Sequence, residues 1–189
     1  NIIHDESGCF QSYSTTIQPV SRAETLEVNI SGSDFGDGYV INLATTGGIG
    51  QDFASYEYRL DGGNWRSSPR FKDVRPGNHV AYVRESNGCG ETKSASFFLV
   101  GYPRFFTPNG DGFNDDWQLI TDQNIEIHEV MIFDRYGKSI IELNSGEDFS
   151  WDGTTNGRPL PETDYWFKVI YSTSDKDREE FMANFSLIR

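Results

Sequence analysis

With 189 residues, 36% of them hydrophobic and 14% aromatic (14 Phe, 9 Tyr, 4 Trp), the chain has apolar material for one large or two small cores. Its formal charge of -13 is uneven: residues 1–102 hold 8 basic and 12 acidic side chains, a net of -4, and residues 103–189 hold 8 and 17, a net of -9. Such a surface repels phosphate backbones and anionic lipid, which argues against nucleic acid as a partner and against direct membrane insertion through a basic patch; apolar runs of at most four residues are far below the ~20 a spanning helix needs.

Nineteen Gly and seven Pro punctuate short segments rich in Val, Ile, Phe, Tyr and Thr, a mixture that favours strands and turns. Cys9 lies in HDESGCFQSYSTTIQP and Cys89 in RESNGCGETKSASFFLVGYP, two similar passages 80 residues apart. That offset suits a repeated Ig-like module, so residues 1–22 are expected to be the closing strand or strands of an upstream repeat. The spacing leaves open whether Cys9 and Cys89 pair, and no C-x-x-C metal knuckle is present. The opening NIIHDESGCF has no basic-then-apolar pattern of a leader peptide.

Residues 23–101 read as one full module. Leu26, Val28 and Ile30 alternate, Tyr39 to Leu43 follows a Gly/Asp turn, and Tyr56, Tyr58 and Leu60 share a face before the Asp61-Gly62-Gly63 hairpin that leads to Trp65. Ala81 and Val83 then oppose Val80 and Tyr82, before an Asn87-Gly88 turn and the strand SASFFLV. Residues 102–189 read as a second module. It opens with YPRFFTPNGDGFNDDW, where prolines and Asn-Gly and Asp-Gly pairs mark a loop. WQLI is a strand, EVMIFDRYGKSIIEL a hairpin about Asp134-Arg135-Tyr136-Gly137, and NGRPLPETD a loop. Tyr165, Phe167, Val169 and Tyr171 form one buried face and Phe181, Ala183, Phe185 and Leu187 another, while Trp166 falls on the side of Lys168 and is expected to be partly exposed. The fold class is therefore all-β, with two tandem Ig-like β-sandwich domains.

Enzymatic chemistry is hard to assemble. His4, His79 and His128 fall on strands, no G-x-S-x-G elbow exists, and TTGGIG (Thr45 to Gly50) lacks the Lys-Ser/Thr of a P-loop. Glu147 and Asp148 are an acidic pair of the kind a chain this acidic produces by chance. Asn109, Asp111 and Asp115 have spacing that calcium loops use, yet the same residues rigidify an Asx turn without metal, and this backbone-capping reading is preferred; no cofactor is expected.

Together FFTPNGDGFNDDWQL, IFDRYG, WDGTTNGRPLPETDYWF and the terminal FSLIR resemble the gliding-motility-associated C-terminal domain, the type B sorting signal of the bacterial type IX secretion system. The hairpin and Trp-Asp-Gly block also resemble an Ig-like module of flagellar-hook capping proteins, and the first module resembles Ig-like stalk repeats of large adhesins. The family's usual His-Phe-Ser-Leu-Lys-Arg ending is here Asn184-Phe185-Ser186-Leu187-Ile188-Arg189. The resemblance implies a transport address. The folded domain would be recognised by the outer-membrane translocon and an associated outer-membrane barrel, and the protein exported through the periplasm to the cell surface or beyond. Because sandwich-end loops carry binding while strands carry the fold, the expected contact residues are Phe106, Pro108, Asn109, Asp111, Phe113, Asn114 and Asp115, then Asp134, Arg135 and Tyr136, then Leu160, Pro161, Asp164, Tyr165 and Trp166. A glycan- or surface-binding adhesion module, or an accessory domain of an upstream hydrolase, are the alternatives.

Overall fold

The computed structural model describes residues 2–4, 10–15, 23–36, 38–47, 55–86, 92–144 and 149–189, with 2–4 and 10–12 by backbone alone. Cys9, Cys89, the Asn87-Gly88 turn, Gly48–Gly50 and the Glu147-Asp148 pair lie outside the described residues. Among the described residues every regular element is a strand. In chain order these are β1 (Ile2–His4), β2 (Phe10–Ser12), β3 (Ala23–Ser31), β4 (Tyr39–Gly47), β5 (Tyr56–Leu60), β6 (Arg70–Val74), β7 (Gly77–Glu85), β8 (Lys93–Leu99) and β9 (Phe105–Phe106). They continue with β10 (Trp117–Gln118), β11 (Ile125–Phe133), β12 (Ser139–Asn144), β13 (Ser150–Trp151), β14 (Thr154–Thr155), β15 (Arg158–Pro159), β16 (Thr163–Thr173) and β17 (Lys176–Leu187).

β1 and β2 pair antiparallel. Two three-stranded sheets follow, in the orders β3-β4-β6 and β5-β7-β8. Alternation in β4 buries Tyr39, Ile41 and Leu43, as the period-2 pattern requires. β3 departs from expectation: Leu26 and Val28 are half-buried, but Ile30, the next residue in the same alternation, is 46% exposed, so its buried stripe ends at Val28. By packing, the chain divides into two compact units, one of residues 1–28, 43–69 and 81–95 and one of 29–42, 70–80 and 96–189.

In the first unit, β5 and β7 set Tyr58 opposite Val83 and Leu60 opposite Ala81, with Ala81 and Val83 wholly buried. The Asp61-Gly62-Gly63 turn closes through Gly63 N–H to the Leu60 carbonyl at 3.0 Å, and Tyr58 and Arg66 exchange backbone bonds of 2.7 and 3.0 Å. This places the Trp65 ring beneath the guanidinium groups of Arg59, at 4.7 Å, and Arg84, at 4.3 Å. Arg84 also donates to the Glu57 carboxylate at 2.8 and 2.9 Å.

The second unit is built on a five-stranded sheet, β12-β11-β16-β17-β9. β16 and β17 hold register from Thr163 opposite Leu187 to Thr173 opposite Lys176, with one shift near Tyr171. Tyr165, Phe167, Val169 and Tyr171 are buried on one face with Phe185 and Leu187, as their alternation predicts. Over that face sits the pair β10–β13, in which Trp117 lies directly opposite Trp151. Trp117 stacks on Phe185 at 4.3 Å and meets Phe167 at 4.8 Å; Trp151 meets Tyr165 edge-on at 5.1 Å. Large rings packed edge-to-face and offset contribute beyond their buried area, which makes the two tryptophans the centre of this core. Their ring N–H groups donate to the carbonyls of Pro103 and Thr154, so neither polar end is left unsatisfied.

Two features of this core were not visible in the local pattern. Phe105 and Phe106 form β9 and pair in parallel with Ser186 and Leu187 of β17. Phe35, from a segment read as a plain Gly/Asp turn, is fully buried against Tyr171 at 5.1 Å and Phe181 at 5.8 Å, with a left-handed backbone at φ 60°. Such a backbone is costly for an aromatic residue and persists only where packing over-determines it. Val100 and Tyr102 join the same core, Tyr102 meeting Phe167 at 4.7 Å.

Candidate recognition site

Two loop regions of the second unit contain most of the expected contact residues. The first, from Thr107 to Asp116, is organised by its own side chains. One Asp115 carboxylate oxygen accepts the N–H groups of Asn109, at 2.9 Å, and Gly110, at 2.6 Å; the other accepts Gly112 N–H at 2.7 Å. Asp111 accepts the Phe113 N–H at 2.8 Å and the Asn109 side-chain amide at 3.0 Å, and Asn109 Oδ1 accepts the Asp111 N–H at 3.0 Å. The Gly110 and Gly112 amides, with the other backbone N–H groups, hold the Asp115 carboxyl below its ordinary carboxylate value. These are interlocked Asx turns, and they carry the backbone-capping role the residues suggested. Both Asp115 oxygens face the positive ends of N–H dipoles, and among the described residues no cluster of three His, Cys, Asp or Glu stands in metal-binding array.

Outward, the loop presents Phe113, 75% exposed, with Asn109 and Asn114 beside it, and Pro108 half-buried. Phe106 is corrected here. It is 0% exposed, packed on Trp151 and Phe185, and serves the core instead of a contact surface.

The second region brings together segments 26 residues apart in sequence, Asp134 to Leu160. The β11–β12 hairpin turns at Asp134-Arg135-Tyr136-Gly137, where one Asp134 oxygen accepts N–H groups of Tyr136, at 2.8 Å, and Lys138, at 2.9 Å. Beside it runs the loop from Leu160 to Thr163, and between them lies a cleft of about 500 Å³. Asp134, Arg135, Tyr136, Leu160, Pro161 and Tyr165, all expected contact residues, line it. Tyr136 is 81% exposed, with the Arg135 guanidinium 5.1 Å over its ring. Tyr165 forms the floor: its ring belongs to the core and is not an open contact surface, while its hydroxyl donates to the Pro161 carbonyl at 2.7 Å. Burial raises the Tyr165 pKa, Arg189 pulls it back down, and Asp134 adds to the rise.

Arg189, outside the expected set, closes this region by donating to the carbonyls of Leu160 and, at 3.4 Å, Gly153. Gly153 is buried with φ 75°, and a Cβ there would lie 2.7 Å from Leu187 Cδ1, which explains the glycine of the Trp-Asp-Gly block. Asp164 is occupied by Ser186 Oγ at 2.6 Å. Trp166 stands apart from both loops on the outer face of β16, 43% exposed and opposite Asn184 of β17, as its alternation predicted. Of the histidines, His79 bonds the Arg75 carbonyl at 2.7 Å and stacks on Phe97, and His128 bonds Ser172 Oγ at 2.9 Å, both local structural roles.

What fold and loops define is an Ig-like β-sandwich whose exposed chemistry lies in capped loops at the rim of an aromatic core. Residues 100–185, the segment that contains both loop regions, match the family model of the CHU_C Type IX secretion signal domain. A search of curated proteins finds no match. Among solved structures, the chain is similar to dimeric latent PorU from Porphyromonas gingivalis, at 12% identity and a TM-score of 0.29 over 88% of this chain and 20% of that one. It is also similar to the chicken CNTN1 FN1-FN3 domains (12%, TM-score 0.30, 90% and 67%). A third is SGBP-B of a Bacteroides ovatus mixed-linkage glucan utilization locus in complex with a mixed-linkage heptasaccharide (13%, TM-score 0.26, 82% and 42%). The chain spans about a fifth of the PorU chain. At such scores and identities these likenesses have no bearing on function.

Proposed function

We propose that residues 102–189 are a non-catalytic sorting signal that delivers a large, repeat-containing surface adhesin to the type IX translocon. Residues 23–101 act as the last Ig-like stalk repeat before it, and residues 1–22 close the repeat before that. The outer-membrane translocon and an associated barrel read the folded domain at its loop end, and the protein is exported to the surface or the surroundings. The observation that carries this reading is the match of residues 100–185 to the type IX secretion signal domain. Recognition would draw on exposed aromatic and charged residues over a rigid base, here Phe113, Arg135 and Tyr136.

The test fuses all 189 residues to a periplasmic reporter in a bacterium with a type IX system. Surface delivery is expected in the intact strain and not in a translocon-deficient one; equal delivery in both would refute the sorting role. The glycan-binding alternative draws on exposed Trp166 together with a calcium-holding acidic loop at Asn109–Asp115, and a glycan array probed with the whole chain decides it.

A further inference from the structure

The five-stranded sheet packs its aromatic core against one face, and the alternate side chains point to the other. On that outer face the register sets Phe133 and Asn184 on either side of Trp166, and Met131 and Met182 on either side of Lys168. In the next row Glu129 and Glu180 flank Ile170. The solvated face of an antiparallel sheet ordinarily carries polar side chains. Here five of these nine are apolar, Met182 is 55% exposed, and Trp166 is the most exposed of the chain's four tryptophans. Both methionines of the chain stand in one row of this face.

The charges here have one prevailing sign. Lys168, the one cation in the three rows, is held by Glu180 at 2.7 Å. Glu129, and the exposed Glu142 of β12 directly opposite Met131, are in no ion pair among the described residues. Next along the strands, Asp164 accepts the Ser186 hydroxyl at 2.6 Å, and Glu126 and Arg178 stand at the far end, one of each sign. Arg135 and Lys138 belong to the hairpin turn and line the cleft beside it. An apolar centre is thus bordered on its β11–β12 side by two uncompensated carboxylates. Three strands about 4.8 Å apart and three rows about 6.6 Å apart make a surface of about 300 Å². That is the scale of a functional patch on a monomer, and far short of the ~800 Å² per partner of a stable dimer, so a second copy of this chain does not suit it.

We propose that this face docks a protein of the export path through an apolar surface that carries lysine or arginine. The partner's apolar side chains would cover Trp166, Met131 and Met182, and its cation would meet Glu129 and Glu142. Two flexible, polarisable thioethers beside an indole suit protein side chains of varied shape. The bordering carboxylates attract a cationic partner and repel anionic lipid. That the partner belongs to the export machinery rests on the sorting reading; the surface and the chemistry it selects do not.

The methionines make the test direct, because methyl-13C-methionine labels this face and no other part of residues 1–189. Three capped peptides are titrated into the whole chain at low salt: acetyl-Lys-Lys-Leu-Val-Leu-amide, the same with Glu-Glu for Lys-Lys, and the same with Ser-Thr-Ser for Leu-Val-Leu. The first is expected to move both methyl signals, and to bind about tenfold more tightly than either of the others and about fivefold more tightly than it binds E129Q/E142Q. Equal binding of the Glu-Glu or Ser-Thr-Ser peptide, or no movement of the signals, would overturn the proposal. So would signals that move with protein concentration alone, or that move with cellohexaose or lipid vesicles and not with the first peptide. In the reporter assay W166S/M182S is expected to reduce surface delivery about tenfold. Both positions are exposed, so an unchanged melting curve verifies the fold. Full delivery of that variant would sink docking to the export machinery and leave the sorting role standing, whereas failure of the unaltered chain would sink the sorting role and leave the peptide result to decide the surface.

Discussion

The Thr107–Asp116 loop and the Asp134 turn are built with the same device and present opposite surfaces. In each, one aspartate carboxylate gathers backbone amides, three at Asp115 and two at Asp134. The first ties the Asp111 and Asp115 carboxylates to its own amides, leaves Asp116 exposed, and presents the ring of Phe113. The second encloses its one carboxylate, which leaves Arg135, Tyr136 and Lys138 as its outward chemistry beside a cleft. Asn109, Asp111 and Asp115, conspicuous in the sequence, thus hold the backbone, and the quieter DRYGK presents two exposed cations, Arg135 and Lys138.

The comparison can be broken most severely from below, since both regions rest on one aromatic platform. Trp117→Ala is expected to cost about 3–5 kcal/mol, as large core truncations do, and to loosen both regions together in an NMR spectrum; loss confined to one would show that they are independently held. Next in size, Asp115→Ala should lower the melting midpoint by roughly 5 °C and Asp134→Ala by roughly half that, following the number of amides released. Equal shifts would mean that the count of amides does not set the rigidity.

Acid separates the two more gently. The Asp115 pKa is depressed in the folded loop, so its contribution is complete above the ordinary value of 3.8 and is lost as pH falls from there through the lower folded value. Amide exchange at Asn109, Gly110 and Gly112 should therefore accelerate only below about pH 3.8; acceleration already at pH 5 would contradict the capping geometry. The smallest effect is expected from calcium. Because the Asp115 oxygens already face N–H groups, the midpoint in calcium and in excess chelator should differ by less than about 1 °C, and a rise of several degrees would show that the loop rearranges around a cation.

Much of this was legible because it is local. Period-2 alternation identified the buried faces of β16 and β17 and the exposure of Trp166, the Gly of DRYG located the β11–β12 hairpin, and the Asp-Gly-Gly run located a tight turn closed by a single bridge from Tyr58 to Arg66. The capping role of Asn109, Asp111 and Asp115 was legible for the same reason, since each acts within six residues of itself. What escaped depends on long-range register. Nothing near Phe105 and Phe106 announces a parallel partner 81 residues on, and Phe106 was assigned to a contact surface because a loop-adjacent Phe looks the same whether it faces in or out. The convergence of the Asp134 turn with Leu160 and Pro161 exists only once β11, β12 and β16 are laid side by side.

Phe35 has a practical consequence for anyone who wishes to carry the signal to another cargo. A tag trimmed to residues 102–189 follows the sequence boundary but discards the ring that covers Tyr171 and Phe181. The socket so opened would be a sticky apolar patch on an otherwise acidic tag, and poor delivery of such a fusion would reflect its solubility before it reflected its address. A portable version needs either residues 29–189 or polar replacements at Tyr171 and Phe181.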